Sequence, residues 1–425
     1  MVRNLFKGRF FKEKRSKKFD GDRYHKRVFR LLSNAASTPI VFLKRTVEGP
    51  LGQQAGTFAT KASELDSIVR MAWGKIYHGT LRPLQDIVPD FLNKYSQHLF
   101  RHAEYDIEDI DVDEFMEHCL HAPDSAGGMD GWAPCDFKLL NRTSFFWIVQ
   151  MLNTIEKGAP WPKGLLAARV AFLAKDPDEN DDPLSYRPLL IQSYLYRGWG
   201  GYRLNTIKPW ILLWATDDMY AGIPERCAQD AWWLTGLTME DWKLSKTPFS
   251  GSSADVAKCF DMIVRPILYK VAHLAGIPKR IILPYIRFIE ALAVHNTIGG
   301  NIGIPFQKRC GIPQGCPFSM MFIALLLRPW TVAIRSLHAI PRILADDLMV
   351  LTHGLGHQAK MKEAMDYTHA FLIDMGAVVA PKKSFLFTSC KKAKQKLHEP
   401  CLVQHPVQDP TCRKWARLGW HFQHA

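Results

Sequence analysis

Apolar and polar positions follow different periods in successive parts of this 425-residue chain. From residue 59 to about 118 the apolar positions recur at helical spacing. Within 63–77, Leu65, Ile68, Val69 and Ala72 share one stripe behind a serine-led start. This part turns acidic towards its end and reads as a helical lead-in with no chemistry of its own. A glycine-rich loop, Ser125-Ala126-Gly127-Gly128-Met129-Asp130-Gly131-Trp132, precedes a helix predicted over 136–156. The loop is either an ordinary turn or a backbone nest for phosphate; with no Gly-Lys-Ser/Thr after it, it is no P-loop. Apolar, β-prone runs at 168–175 and 186–191 predict two strands joined by an acidic, proline-containing loop. A long helix carrying Arg197 and Arg203 follows, then a turn at Gly222-Ile223-Pro224.

In the second half, residues 254–263 (Ala-Asp-Val-Ala-Lys-Cys-Phe-Asp-Met-Ile) predict a strand opened by Asp255. Helices are expected over 266–275 and 278–293, and two short strands between 296 and 309 around Gly299-Gly300. The loop 311–319 brackets Pro313-Gln314 with two glycines and leads into an apolar helix over 320–338. Such a loop lets backbone approach a ligand and presents free N–H groups. Residues 342–351 flank Asp346-Asp347 with apolar runs, which predicts a tight hairpin with the acid pair at its bend. A helix over 357–375, a strand over 385–388 and a strand-like aromatic run over 415–422 complete the chain.

Charge sharpens this picture. With 55 Lys and Arg against 41 Asp and Glu, the net charge is +14 and the pI about 9.3, a balance that favours a polyanionic partner such as nucleic acid. Residues 1–45 form a basic arm, and Glu13, Asp20 and Asp22 within it argue against an organelle transit peptide. A nucleic-acid contact or a nuclear address fits residues 12–18 better. The nine cysteines show no repeated spacing, which suits free thiols in a reducing compartment. Cys390, His398, Cys401, His405 and Cys412 lack the Cys-x-x-Cys pair of a zinc site. The longest apolar run, 320–327, is stopped by Arg328-Pro329, far short of the ~20 residues of a membrane span.

Candidate chemistry gathers at the acids and two cations. Adjacent carboxylates repel, so a chain that places Asp346 beside Asp347 usually has a cation to hold. Lys175 and Arg187, on the two arms of one hairpin, can grip an extended anion from one side.

Taken in order, these segments resemble the reverse transcriptase family, and most of all its non-LTR (LINE-type) retrotransposon branch. The run ADVAKCFDMI resembles the first palm motif, with Asp255 at the metal-binding position. GIPQGCPFS resembles the template- and nucleotide-positioning loop. LADD stands where an aromatic residue, any residue and Asp-Asp are usual, so Leu344 departs from the pattern. GAVVAPKKS matches the next motif at Gly376, Lys383 and Ser384, with Ala380 where Asn is common. RLGWHF resembles the primer-grip strand around Leu418-Gly419. Upstream, Lys175 and the YRPLL run with Arg187 resemble the fingers hairpin, SAGGMDGW resembles the Pro-Gly-x-Asp-Gly loop of non-LTR elements, and 220–231 their Gly-Phe-Arg segment.

The resemblance implies an α+β right-hand polymerase: basic arm 1–45, helical lead-in 46–118, fingers about 119–245 and palm about 246–425, with the thumb largely absent. It implies an RNA-directed DNA polymerase acting on an RNA template, a DNA primer and deoxynucleoside triphosphates, with two Mg2+ ions or Mn2+ in their place. It names no protein partner, and a nuclear or a cytoplasmic ribonucleoprotein setting would suit it. Asp255, Asp346 and Asp347 would bind metal, Lys175 and Arg187 the triphosphate, and Lys383 the leaving pyrophosphate. Gln314 and Gly315 would form the floor beneath the template base pair. Phe260 would be the aromatic gate that excludes a 2′-hydroxyl by clash. The competing expectations are an RNA-dependent RNA polymerase and a catalytically weak retroelement remnant that binds RNA.

Overall fold

A computed structural model of the protein describes residues 40–79, 83–175, 181–381 and 383–390, and the backbone at 421–422. The basic arm up to residue 39, the Cys/His group beyond Cys390 and the Leu418-Gly419 segment lie outside the described residues.

The lead-in is helical, as its periodicity predicts. A short ribbon, β1 (Leu43–Lys44) with β2 (Phe58–Ala59), is followed by α1 (Ala62–Tyr77), α2 (Leu84–Lys94) and α3 (Val112–Leu120). α1 buries Leu65, Ile68, Val69, Trp73 and Tyr77, the single stripe expected of an amphipathic helix. The helix predicted over 136–156 is in fact two, α4 (Pro134–Phe137) and α5 (Arg142–Glu156). Asn141 separates them: its side chain accepts the Ser144 N–H and so starts a new helix.

Next come β3 (Ala167–Ala174), β4 (Tyr186–Ile191), α6 (Tyr194–Thr206), α7 (Lys208–Trp214) and α8 (Ala228–Leu244). The second half runs β5 (Phe249–Ala257), α9 (Cys259–Met262), α10 (Arg265–Leu274), α11 (Lys279–Ala291), β6 (Ala293–Ile298) and β7 (Asn301–Ile302). It ends with α12 (Ser319–Ser336), β8 (Ile340–Leu344), β9 (Asp347–His353), α13 (His357–Asp374), β10 (Val378–Val379), β11 (Phe385–Thr388) and β12 (His421–Phe422).

The strands form two main sheets. The smaller has the order β4-β3-β6-β7, with β3 antiparallel to β4 and parallel to β6. The larger has the order β12-β11-β5-β9-β8, with β10 on the end of β5. One continuous apolar core runs beneath both, from Ile40 to Leu386, and takes in the lead-in helices. α12 is buried on almost every side, which accounts for a run without a polar face. Among the described residues no helix is long and apolar enough to cross a membrane.

A buried ion pair ties α5 to α6. Glu156 accepts Arg203 at 2.7 and 2.6 Å and Trp199 Nε1 at 2.9 Å. So complete a set of partners is what makes charge tolerable in a core.

Candidate active site

β5 and β9 carry the acids on one face of the larger sheet. Ala254, Val256, Leu348 and Val350 point into the core, so the period-2 alternation turns Asp255 and Asp347 the other way. The strand register sets Asp255 directly opposite Asp347. Val256 N–H donates to the Asp346 carbonyl, which makes that neighbouring pair the hydrogen-bonded one. Asp255 and Asp347 are therefore a non-hydrogen-bonded pair, the kind whose side chains stand closest, with Cα atoms about 4.5 Å apart.

The sequence misplaces two details here. Asp255 does not open its strand but lies near its end, because Lys258 is left-handed (φ 49°) and turns the chain into α9. The bend of the β8–β9 hairpin is Ala345-Asp346, and Asp347 already belongs to β9. Ala345 is itself left-handed (φ 57°), a strain of roughly 1–2 kcal/mol for a residue with a Cβ. Asp346 thus projects from a turn while Asp347 projects from a strand.

The segment around Ser384 fixes the backbone at Asp255. Ala380 N–H donates to the Asp255 carbonyl at 2.7 Å, and Asp255 N–H donates to Ser384 Oγ at 3.1 Å. Ser384 Oγ closes the circuit by donating to the Ala380 carbonyl at 2.8 Å. Ala380 therefore anchors this segment through its backbone. Lys383, largely exposed, holds its Nζ 3.2 Å from Asp255 Oδ2.

The loop 311–319 is clamped from two sides. Ile312 N–H donates to the Phe260 carbonyl at 2.6 Å, and Gly311 N–H to the Ile263 carbonyl at 2.8 Å. On the other side Leu190 N–H, on β4, donates to the Gln314 carbonyl at 2.7 Å. Gly315 is left-handed (φ 115°), and a Cβ there would stand 2.5 Å from the Leu190 oxygen. The loop thereby bridges β4 and the α9 segment that follows β5. Phe260 follows the left-handed turn and is partly buried against the core.

Lys175 and Arg187 are both exposed near the loop end of the β3–β4 hairpin. Arg187 is close enough for its charge to stabilise the Asp346 carboxylate, and Lys175 close enough to repel Lys258.

The family described as reverse transcriptase (RNA-dependent DNA polymerase) matches residues 175–421, more than half of the 425. The chain belongs to this family. It is an RNA-directed DNA polymerase, a nucleotidyltransferase, and its domain implies an RNA template, a primer and deoxynucleotides as substrates. Family enzymes generally use divalent metal ions.

The donor set of this reverse transcriptase suits such an ion. Asp255, Asp346 and Asp347 could supply it with hard oxygen ligands. Burial pushes the Asp346 carboxyl above the ordinary aspartate range, with Asp255 adding repulsion. Asp347 is raised for the same reason, burial first and then repulsion from Asp346 and Asp255. Burial and mutual repulsion thus outweigh the relief that Lys383 gives to both carboxyls and Arg187 to Asp346. Among the described residues no three His, Cys, Asp or Glu side chains form a ready-made ligand group; the acids are neighbours in register that must still turn towards a common point.

Three polar residues around the site escaped the sequence reading. Lys258 donates to the Leu184 carbonyl and lies 4.5 Å over the Trp73 ring. Burial, then the facing Lys175, brings its pKa down to about 8. Asp261 and Lys308 form a buried pair at 3.1 Å. The signal for Lys258 and Asp261 was there in part: both interrupt a segment otherwise apolar after Asp255.

Proposed function

We propose that this reverse transcriptase copies RNA by a two-metal mechanism, with Asp255, Asp346 and Asp347 as ligands, and that it derives from a non-LTR retroelement. The observation that carries this reading is the register that sets Asp255 across from Asp347, one residue from the turn that bears Asp346. Divalent ions held by these three carboxylates would supply Lewis-acid activation of the attacking 3′ oxygen and neutralise charge on the leaving one.

The chain's own residues do the rest. Asp255 and Asp346 supply ligands from two separate backbone elements, and Asp347 is an accessory carboxylate. Lys383 neutralises Asp255 in the metal-free protein and is available to screen or protonate the departing pyrophosphate. Lys175 and Arg187 hold the triphosphate from the β3–β4 hairpin, which acts as the fingers, while the larger sheet acts as the palm. Gln314 and Gly315 shape the floor beneath the nascent base pair. Support for the non-LTR origin comes from the SAGGMDGW loop ahead of the family match, whose backbone is gripped by Arg169 at Gly127 and by Arg197 at Ala126.

Phe260 carries the choice of sugar. A bulky ring against C2′ rejects a ribonucleotide by clash, so the wild-type protein favours deoxynucleotides. Primer extension on a primed RNA template with Mg2+ tests the reading, with deoxynucleotides and ribonucleotides supplied in parallel. Deoxynucleotides should be used strongly in preference, and Phe260→Val should raise relative ribonucleotide use by about tenfold. A wild-type preference for ribonucleotides would overturn the assignment.

A further inference from the structure

Beneath the nucleotide floor lies an ion pair that no part of the proposed chemistry uses. Asp261 is 1% exposed and Lys308 8%. Gln314 Nε2 donates to Asp261 Oδ2 at 2.8 Å, and Lys308 Nζ donates to the other oxygen, Oδ1, at 3.1 Å. The ammonium of Lys308 rests 3.9 Å from the centre of the Tyr77 ring, on α1. Gln314 is therefore anchored twice, by its backbone to β4 and by its amide to Asp261.

The two ends of a glutamine amide have nearly the same shape but opposite hydrogen-bonding character. An ionised carboxylate can only accept, so it admits the NH2 end and turns the carbonyl oxygen away. Without it the amide could rotate, and a ligand would meet either end. Lys308 occupies the second carboxylate oxygen, leaving Oδ2 for the amide.

We infer that Asp261, held by Lys308 on the Tyr77 ring, is a positioning residue that fixes which end of the Gln314 amide faces the incoming nucleotide. This rests on the reading of Gln314 as part of the nucleotide floor. It also gives the lead-in helix a place in substrate binding, through Tyr77.

Single-nucleotide incorporation on a primed RNA template provides the test. kcat and KM for one deoxynucleotide are compared in the wild type, Asp261→Asn, Gln314→Ala and the double variant. Asp261→Asn preserves shape but allows either end of the amide to bind, so KM should rise about tenfold, the scale of one charge-assisted hydrogen bond, with kcat little changed. Gln314→Ala should raise KM similarly, and adding Asp261→Asn to it should cost no more than about twofold further, as expected of coupled residues. Losses that multiply in the double variant, or an unchanged KM in Asp261→Asn, would show a merely structural pair and overturn the inference. An unchanged KM in Gln314→Ala would instead remove Gln314 from the nucleotide floor, a separate result. Because Asp261→Asn leaves Lys308 buried without its partner, the cycle is repeated with Asp261→Asn/Lys308→Met, whose melting temperature reports folding. The same non-additivity is expected there, and its absence counts against the inference.

Discussion

Asp346→Asn should lower primer extension by at least about 10³-fold, since the proposed metal site would then lose a charged ligand. The same change should leave the metal-free protein no less stable than before. The Asp346 carboxyl is raised, chiefly by burial and then by Asp255, so the folded chain holds this proton more tightly than the unfolded chain does. Stability from such a group is fully present at acid pH and is lost as the pH rises through the raised value. At neutral pH the charged side chain is thus a burden on the apo fold, which an asparagine removes. In the presence of a chelator, melting should occur at an unchanged temperature or a degree or two higher, and its loss of stability from acid to neutral pH should be flatter. Asp255→Asn should be as damaging to extension, while freeing Lys383 from its ion pair. More than a tenth of wild-type activity in Asp346→Asn, or a melting temperature several degrees lower, would defeat the assignment of Asp346 as a ligand.

The basis for that expected opposition was partly legible in the sequence. Adjacent acids between apolar runs already imply a repulsion that the chain would avoid unless a cation used it. The alternation in β9 also indicates that Asp347 lies on the face opposite Leu348 and Val350. What the local pattern could not supply was the partner strand. Asp255 and Asp347 are far apart in the chain, and their pairing comes from sheet register. The period-2 signal at β5 was also cut short by Lys258, whose left-handed backbone is not a lysine preference. The sequence therefore predicts a strand over 254–263, whereas β5 ends at Ala257 and residues 259–262 are helical.

The lead-in shows the same limit. Its amphipathic stripe was plain, and α1 forms where the stripe predicts. The contacts that give it a place near the site are not local. Trp73 meets Lys258, and also donates to the Pro183 carbonyl at 3.0 Å; Tyr77 meets Lys308. Each partner lies more than a hundred residues away, so helical periodicity shows which face of α1 is buried but not what buries it. The loop 311–319 was expected to bring backbone close to a ligand and to present free N–H groups. Its glycines do signal close approach, but the approach is to the protein's own backbone, and the N–H groups of Gly311 and Ile312 are taken up by the Ile263 and Phe260 carbonyls. The neighbours turn out to be Phe260 and Asp261 at Gly311, and Leu190 at Gly315.

Gly315→Ala should be strongly damaging although it alters no charge and no ligand. Two costs coincide at this position. The left-handed backbone (φ 115°) is one that an L side chain rarely adopts, and the added Cβ would meet the Leu190 carbonyl oxygen at 2.5 Å. Backbone strain of this kind costs of order 1–3 kcal/mol, and a main-chain oxygen cannot swing aside as a flexible side chain can. Relief requires the loop to withdraw from β4, which lengthens the bond from Leu190 N–H to the Gln314 carbonyl and pulls the Gln314 amide away from Asp261. A shift of about 1 Å at a substrate-positioning group can cost on the order of 10²-fold in rate. Urea unfolding should therefore show a loss of about 2–4 kcal/mol, the strain plus one hydrogen bond, and nucleotide incorporation should fall about a hundredfold. Gly300→Ala is the control: the backbone is also left-handed (φ 80°), but nothing lies within 4 Å of the added Cβ. It should cost only about 1 kcal/mol and leave incorporation near wild type. Equal losses of incorporation in the two variants would mean that the contact with β4 does not set the geometry of the nucleotide floor.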